Sequence, residues 1–183
     1  MKRTITLLFA LLIAFAVSAQ SHMKFMGIPL DGTIDAFQQK LAAKGVKPER
    51  EANEFLPVGT RAFTGTFCGY EAQIGVYYNT KTKVAYRAKA FFTGEDKELI
   101  QRRYDEFLRL LNNKYPDAEV TEAEQDGFDA CSWVIWREEI LVGWIGLFIS
   151  EDNSSYPTQY TLHIDYTDAI NNDANNASKS EDL

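Results

Sequence analysis

The chain has 183 residues, a formal charge of −7 and 45% hydrophobic residues. That length and apolar content suit one domain with its own core. The acidic balance argues against sequence-independent nucleic-acid binding and against docking on anionic lipid, since both need a basic surface.

Lys2 and Arg3 form a positive start, Leu7 to Val17 is an unbroken apolar run, and Val17-Ser18-Ala19 offers a small-residue cleavage pattern. This layout predicts a secretory signal peptide over residues 1–19, with cutting before Gln20. The run is shorter than the roughly 20 apolar residues of a membrane span, and no later segment is long and apolar enough to span. The expected location is periplasmic or secreted.

Met26 to Leu30 reads as an extended lead-in. Helix spacing follows at Ile34, Phe37 and Leu41, with Asp31 or Thr33 as cap and Gly45 as stop. Strands are predicted over Arg61–Phe67, Tyr70–Tyr78 and Val84–Phe92. In the last, Val84, Tyr86, Ala88, Ala90 and Phe92 share one face while Arg87 and Lys89 share the other. A second helix begins near Thr93-Gly94-Glu95-Asp96, carries Ile100, Tyr104, Phe107, Leu111 and Tyr115, and stops at Pro116. Three more strands follow: Ala130–Trp136, Ile140–Ser150 (apolar on both faces) and Thr158–Tyr166. From Asp168 the Asn-, Asp- and Ser-rich composition predicts a frayed or disordered tail over 168–183, with a short helical start over Asp168–Ala174 as the alternative.

The expected fold is α+β: a two-layer domain over 20–167, with one antiparallel sheet of about six strands and two helices on one face. The order helix, three strands, helix, three strands fits a tandem α-βββ duplication. The back of the sheet would be open.

Few residues suggest chemistry. His22 lies at the ragged new N-terminus, where disorder is the default. His163 and Asp165 sit two apart on the polar face of the last strand, so both point the same way. Such a pair could orient an imidazole as a base or bind a metal. Glycine-rich nucleotide loops, serine-nucleophile elbows and zinc spacings are absent from the sequence, so neither cofactor nor metal is expected. Cys68 and Cys131 could form one disulfide in an oxidising compartment; the alternative is two small thiols. Trp133 and Trp136 have opposite strand parity, so a regular strand must present one of them to the surface. With Tyr77 they are the candidate binding aromatics.

The stretch Phe25-Met26-Gly27-Ile28-Pro29-Leu30-Asp31-Gly32-Thr33-Ile34-Asp35-Ala36-Phe37, with Leu41-Ala42-Ala43-Lys44-Gly45 and Gly65-Thr66-Phe67-Cys68-Gly69-Tyr70, resembles small exported proteins of unknown function from Gram-negative gut bacteria. The tandem helix-and-meander order is similar to the β-lactamase-inhibitor-protein architecture, whose concave sheet grips a partner. These features predict an exported binding module that presents an open sheet face to a protein or envelope ligand. The alternatives are a small hydrolase using His163 with Asp165 or a cysteine, and a structural envelope component.

Overall fold

The computed structural model describes residues 22–125, 127–154 and 156–180; the signal-peptide segment lies outside them. In chain order the elements are β1 (Lys24–Phe25), β2 (Ile28–Pro29), α1 (Ile34–Ala42), β3 (Lys47–Pro48), α2 (Arg50–Phe55), β4 (Thr60–Phe67), β5 (Tyr70–Tyr78), β6 (Ala85–Gly94), α3 (Lys97–Lys114), β7 (Glu119–Gln125), β8 (Phe128–Arg137), β9 (Ile140–Asp152), β10 (Gln159–Asp168) and α4 (Ala169–Ser180).

The expected sheet of about six strands, with two helices and an α-βββ repeat, is corrected. Strands β3 to β10 form one eight-stranded antiparallel sheet in the order β3-β4-β5-β6-β10-β9-β8-β7, and β1 pairs with β2 separately. The sheet is two four-stranded meanders joined where β6 meets β10. The charged segment Glu119-Val120-Thr121-Glu122, not predicted as a strand, becomes the edge strand β7. Exposed charges suit an edge because they discourage further strand pairing.

Two tight hairpins set the register. Cys68 and Gly69 both take positive φ between β4 and β5, and Glu138 and Glu139 do so between β8 and β9. Positive φ at both central residues matches the right-handed twist of the flanking strands.

The two predicted helices form where expected; the first takes one of its two candidate caps, and the second is capped by Asp96 rather than Thr93. Thr33 caps α1, accepting from the Ala36 amide at 3.4 Å. Asp96 caps α3, accepting from the Leu99 amide at 3.0 Å. Ile34, Phe37 and Leu41 of α1 are buried, as are Ile100, Tyr104, Phe107 and Leu111 of α3. Both helices meet the sheet face that carries Phe63, Ile74, Phe92, Trp133, Leu147 and Ile164. Each such side chain contributes about 1.5–3 kcal/mol on burial. The packing is tight: a Cβ at Gly143 would lie 2.0 Å from the Thr167 carbonyl oxygen and 2.4 Å from Met23.

Three further corrections shape the surface. A β-bulge leaves Tyr86 unpaired between Ala85 and Arg87, which removes it from the run of inward-facing residues. The segment expected to be disordered forms α4, held by Asp168, whose carboxylate accepts from the Asn171 amide at 2.9 Å. The same fully buried carboxylate accepts from the Met23 amide at 2.8 Å and lies 3.1 Å from His22 Nδ1. His22 is therefore tied into the fold, where an unconstrained terminus was expected.

Candidate functional site

Alternation along the central strands sends one set of side chains away from α1 and α3. Register then arranges that set in rows. Phe91 of β6, His163 of β10 and Phe148 of β9 are direct cross-strand neighbours. His163 stacks on Phe148 at 4.5 Å and meets Phe91 edge-on at 5.3 Å. In the next row Lys89 and Asp165 are opposite one another, with Gly75 and Gly146 outside them. The third row holds Arg87, Thr167 and Trp144, with Tyr77 beyond Arg87.

The middle of this face is an ion cluster. Asp165 accepts from Arg87 Nε at 2.8 Å and from Arg87 Nη2, and Lys89 Nζ is 3.0 Å away. One carboxylate thus serves two cations, leaving a local excess of positive charge on an acidic protein. The Arg87 guanidinium sits 5.3 Å from the Tyr77 ring centroid, and Lys89 Nζ sits 5.8 Å from that of Phe148. Aromatic faces are favourable neighbours for both cations.

At one side of the face, α2 folds over the sheet edge. Asn53 exchanges two hydrogen bonds with the backbone of Ala62, at 2.7 and 2.8 Å. Ala52 and Leu56 then wall a cleft of about 200 Å³ whose opposite side is Ala62, Gly75, Tyr77 and Phe91. A short helix thus lies on the face expected to be bare.

The predicted polar pair does not form as expected. His163 and Asp165 share the face, but Asp165 is engaged by Arg87 and Lys89. The group in reach of His163 is Ser150, whose Oγ lies 2.7 Å from Nε2. His163 Nδ1 is buried without a hydrogen-bond partner among the described residues. Burial first, and the Lys89 charge second, lower the His163 pKa to about 4, against a smaller opposing pull from Asp165. The imidazole is neutral at pH 7. A general base works best with a pKa near the working pH, and no acid among the described residues orients this ring.

Cys68 and Cys131 are free thiols. Cys68 occupies the exposed β4–β5 turn, whereas Cys131 is buried on the helix-covered face, so neither faces His163. Among the described residues no group of three or more His, Cys, Asp or Glu could hold a metal ion. No helix among them is long and apolar enough to cross a membrane.

Of the three aromatics expected to bind, Tyr77 lies on the uncovered face and Trp136 is exposed near the end of β8. Trp133 is corrected: it is fully buried beneath α3, with its indole N–H donating to Asn112 Oδ1 at 2.9 Å. Trp144, Phe148 and Ser150 also line this face, although none was a final candidate for binding. Their signal was the strand Ile140–Ser150, apolar on both faces, which places all three on one parity. Comparison with family models, with curated proteins and with solved structures returns no match.

Proposed function

We propose that this chain is an exported binding module whose uncovered sheet face docks a protein partner presenting an acidic side chain beside apolar ones. The observation that carries the reading is the composition of that face. Sheet faces that merely meet water alternate to polar residues, yet here Phe91, Trp144 and Phe148 surround the Arg87–Asp165–Lys89 cluster. Half-buried aromatics suit contact hot spots. The second cation on Asp165 gives an incoming carboxylate a partner, which favours an acidic protein segment over a neutral ligand. The cleft beside α2 offers room for one apolar side chain of the same partner.

Affinity for a captured partner tests the reading. K89E should weaken it by at least tenfold through charge reversal at the centre of the contact. Unchanged affinity in both K89E and Phe148→Ala would overturn it.

A second reading, a small hydrolase, is favoured by one distance: the 2.7 Å contact between Ser150 Oγ and His163 Nε2. Ser150 then replaces the expected Asp165 or cysteine as the partner of His163. Labelling of Ser150 by a fluorophosphonate, abolished in H163A, would support it. The lowered His163 pKa and the unpartnered Nδ1 argue for no labelling.

A further inference from the structure

The ladder between β5 and β6 stops at Gln73 and Phe91, although β5 reaches back to Tyr70 and β6 runs on to Gly94. Both strands keep their outer partners here: Ala72 pairs with Gly65 of β4, and Phe92 pairs with Leu162 of β10. The sheet is therefore split locally, and a cavity of about 480 Å³ occupies the gap. Its lining includes Glu71 and Gln73 from β5, Thr93 from β6, Lys47 from β3, and Arg103 from α3.

Arg103 is the unusual member. Its guanidinium lies 5.0 Å from the Tyr70 ring centroid and 5.9 Å from that of Phe92. Tyr70 is itself fixed, its hydroxyl donating to Glu106 Oε2 at 2.7 Å. Two aromatic rings thus hold the guanidinium in place. Among the described residues no carboxylate pairs with Arg103, and its Nε is buried with no hydrogen-bond partner. A buried N–H normally finds an acceptor. Lys47 brings a second cation to the cavity and Glu71 its one acid, so the lining keeps an excess positive charge.

We propose that this gap is a binding site for a small ligand bearing one oxyanion group, a carboxylate or a phosphate. Arg103 grips it through a fork of two N–H groups, and Lys47 adds a point charge. Glu71 disfavours ligands with a second negative charge close to the first. Phe91 borders both this cavity and the sheet face, but the two cations of the cavity, Arg103 and Lys47, lie outside the Arg87–Asp165–Lys89 cluster, so the site does not require a partner on that face.

The test is titration of the full chain without its first 19 residues, using inorganic phosphate in one arm and acetate in the other, against chloride at equal ionic strength. The readout is the Arg103 Nε–Hε resonance together with calorimetry. The expected result is a saturable shift of that resonance with one of the two anions in the parent chain, and a calorimetric affinity for that anion weakened at least tenfold in R103Q and less in R103K. A saturable response in only one arm identifies which oxyanion the site takes. A linear, unsaturating response to both anions, or equal affinity in a folded R103Q, would overturn the proposal. If R103Q does not fold, K47Q serves instead. A fewfold loss of affinity there supports the site, and no change counts against it.

Discussion

Ser150 Oγ and His163 Nε2 are 2.7 Å apart across β9 and β10, yet among the described residues nothing accepts from or donates to the far nitrogen of the same ring. The imidazole is packed between Phe148 and Phe91. Stacking and burial, rather than an acid, hold it in place.

That environment has a pH consequence. The charged and titratable groups facing His163 are Lys89 on β6 and Asp165 on its own strand, with the Ser150 hydroxyl on β9. Its pKa is lowered in the native chain to about 4, from 6.5. Between those values the unfolded chain has bound a proton that the native chain has not, so stability falls as the pH drops through this window and levels off below it. Urea denaturation of His163→Gln should show a shallower loss of stability from pH 6.5 to pH 4 than the parent. Identical slopes would contradict the assignment.

His22 works in the opposite direction. Its hydrogen bond to Asp168 is the largest cause of a raised pKa, outweighing desolvation, with the Asp168 and Asp31 charges adding to it. The contribution is fully present below about pH 6.5 and is lost as the pH rises through the raised native value. His22→Ala should cost about 1 kcal/mol at pH 5.5 and less at pH 8.5, measured by denaturant midpoints. Asp168→Ala should cost more, about 3 kcal/mol, because the Met23 and Asn171 amides lose their acceptor as well.

The two β8 tryptophans should separate cleanly. Trp133 is fully buried and hydrogen-bonded, so Trp133→Ala should lower stability by about 3–5 kcal/mol. Trp136 is exposed, and Trp136→Ala should stay within about 0.5 kcal/mol of the parent. Thermal melts of both variants check this.

The long helix α3 and the alternation in β6 and β10 were legible because their periodicity is strong over many residues. Strand β7 was not, since Glu119, Glu122 and Glu124 carry no apolar face to mark an edge strand. Helix α4 was legible only as an alternative short start, because its support comes from Asp168, which a polar tail composition does not advertise. For the site, parity placed His163 and Asp165 on a common face of one strand. Parity cannot say which strands become neighbours, so Asp165 meeting Arg87 and Lys89, and Ser150 meeting His163, required the β6-β10-β9 order. Trp133 and Trp136 show the same limit, because alternation separates two faces without naming the covered one.

The most direct test places a photo-crosslinking amino acid at Trp144, or at Ser132, which pairs with Gly146 in the Asp165 row of the uncovered face, and at the exposed Leu110 of α3 as a control, in the native cell. Adducts with one protein species from the sheet positions and none from position 110 are the result we expect. Adducts from position 110 alone, or from no position, would contradict a partner seated on the sheet.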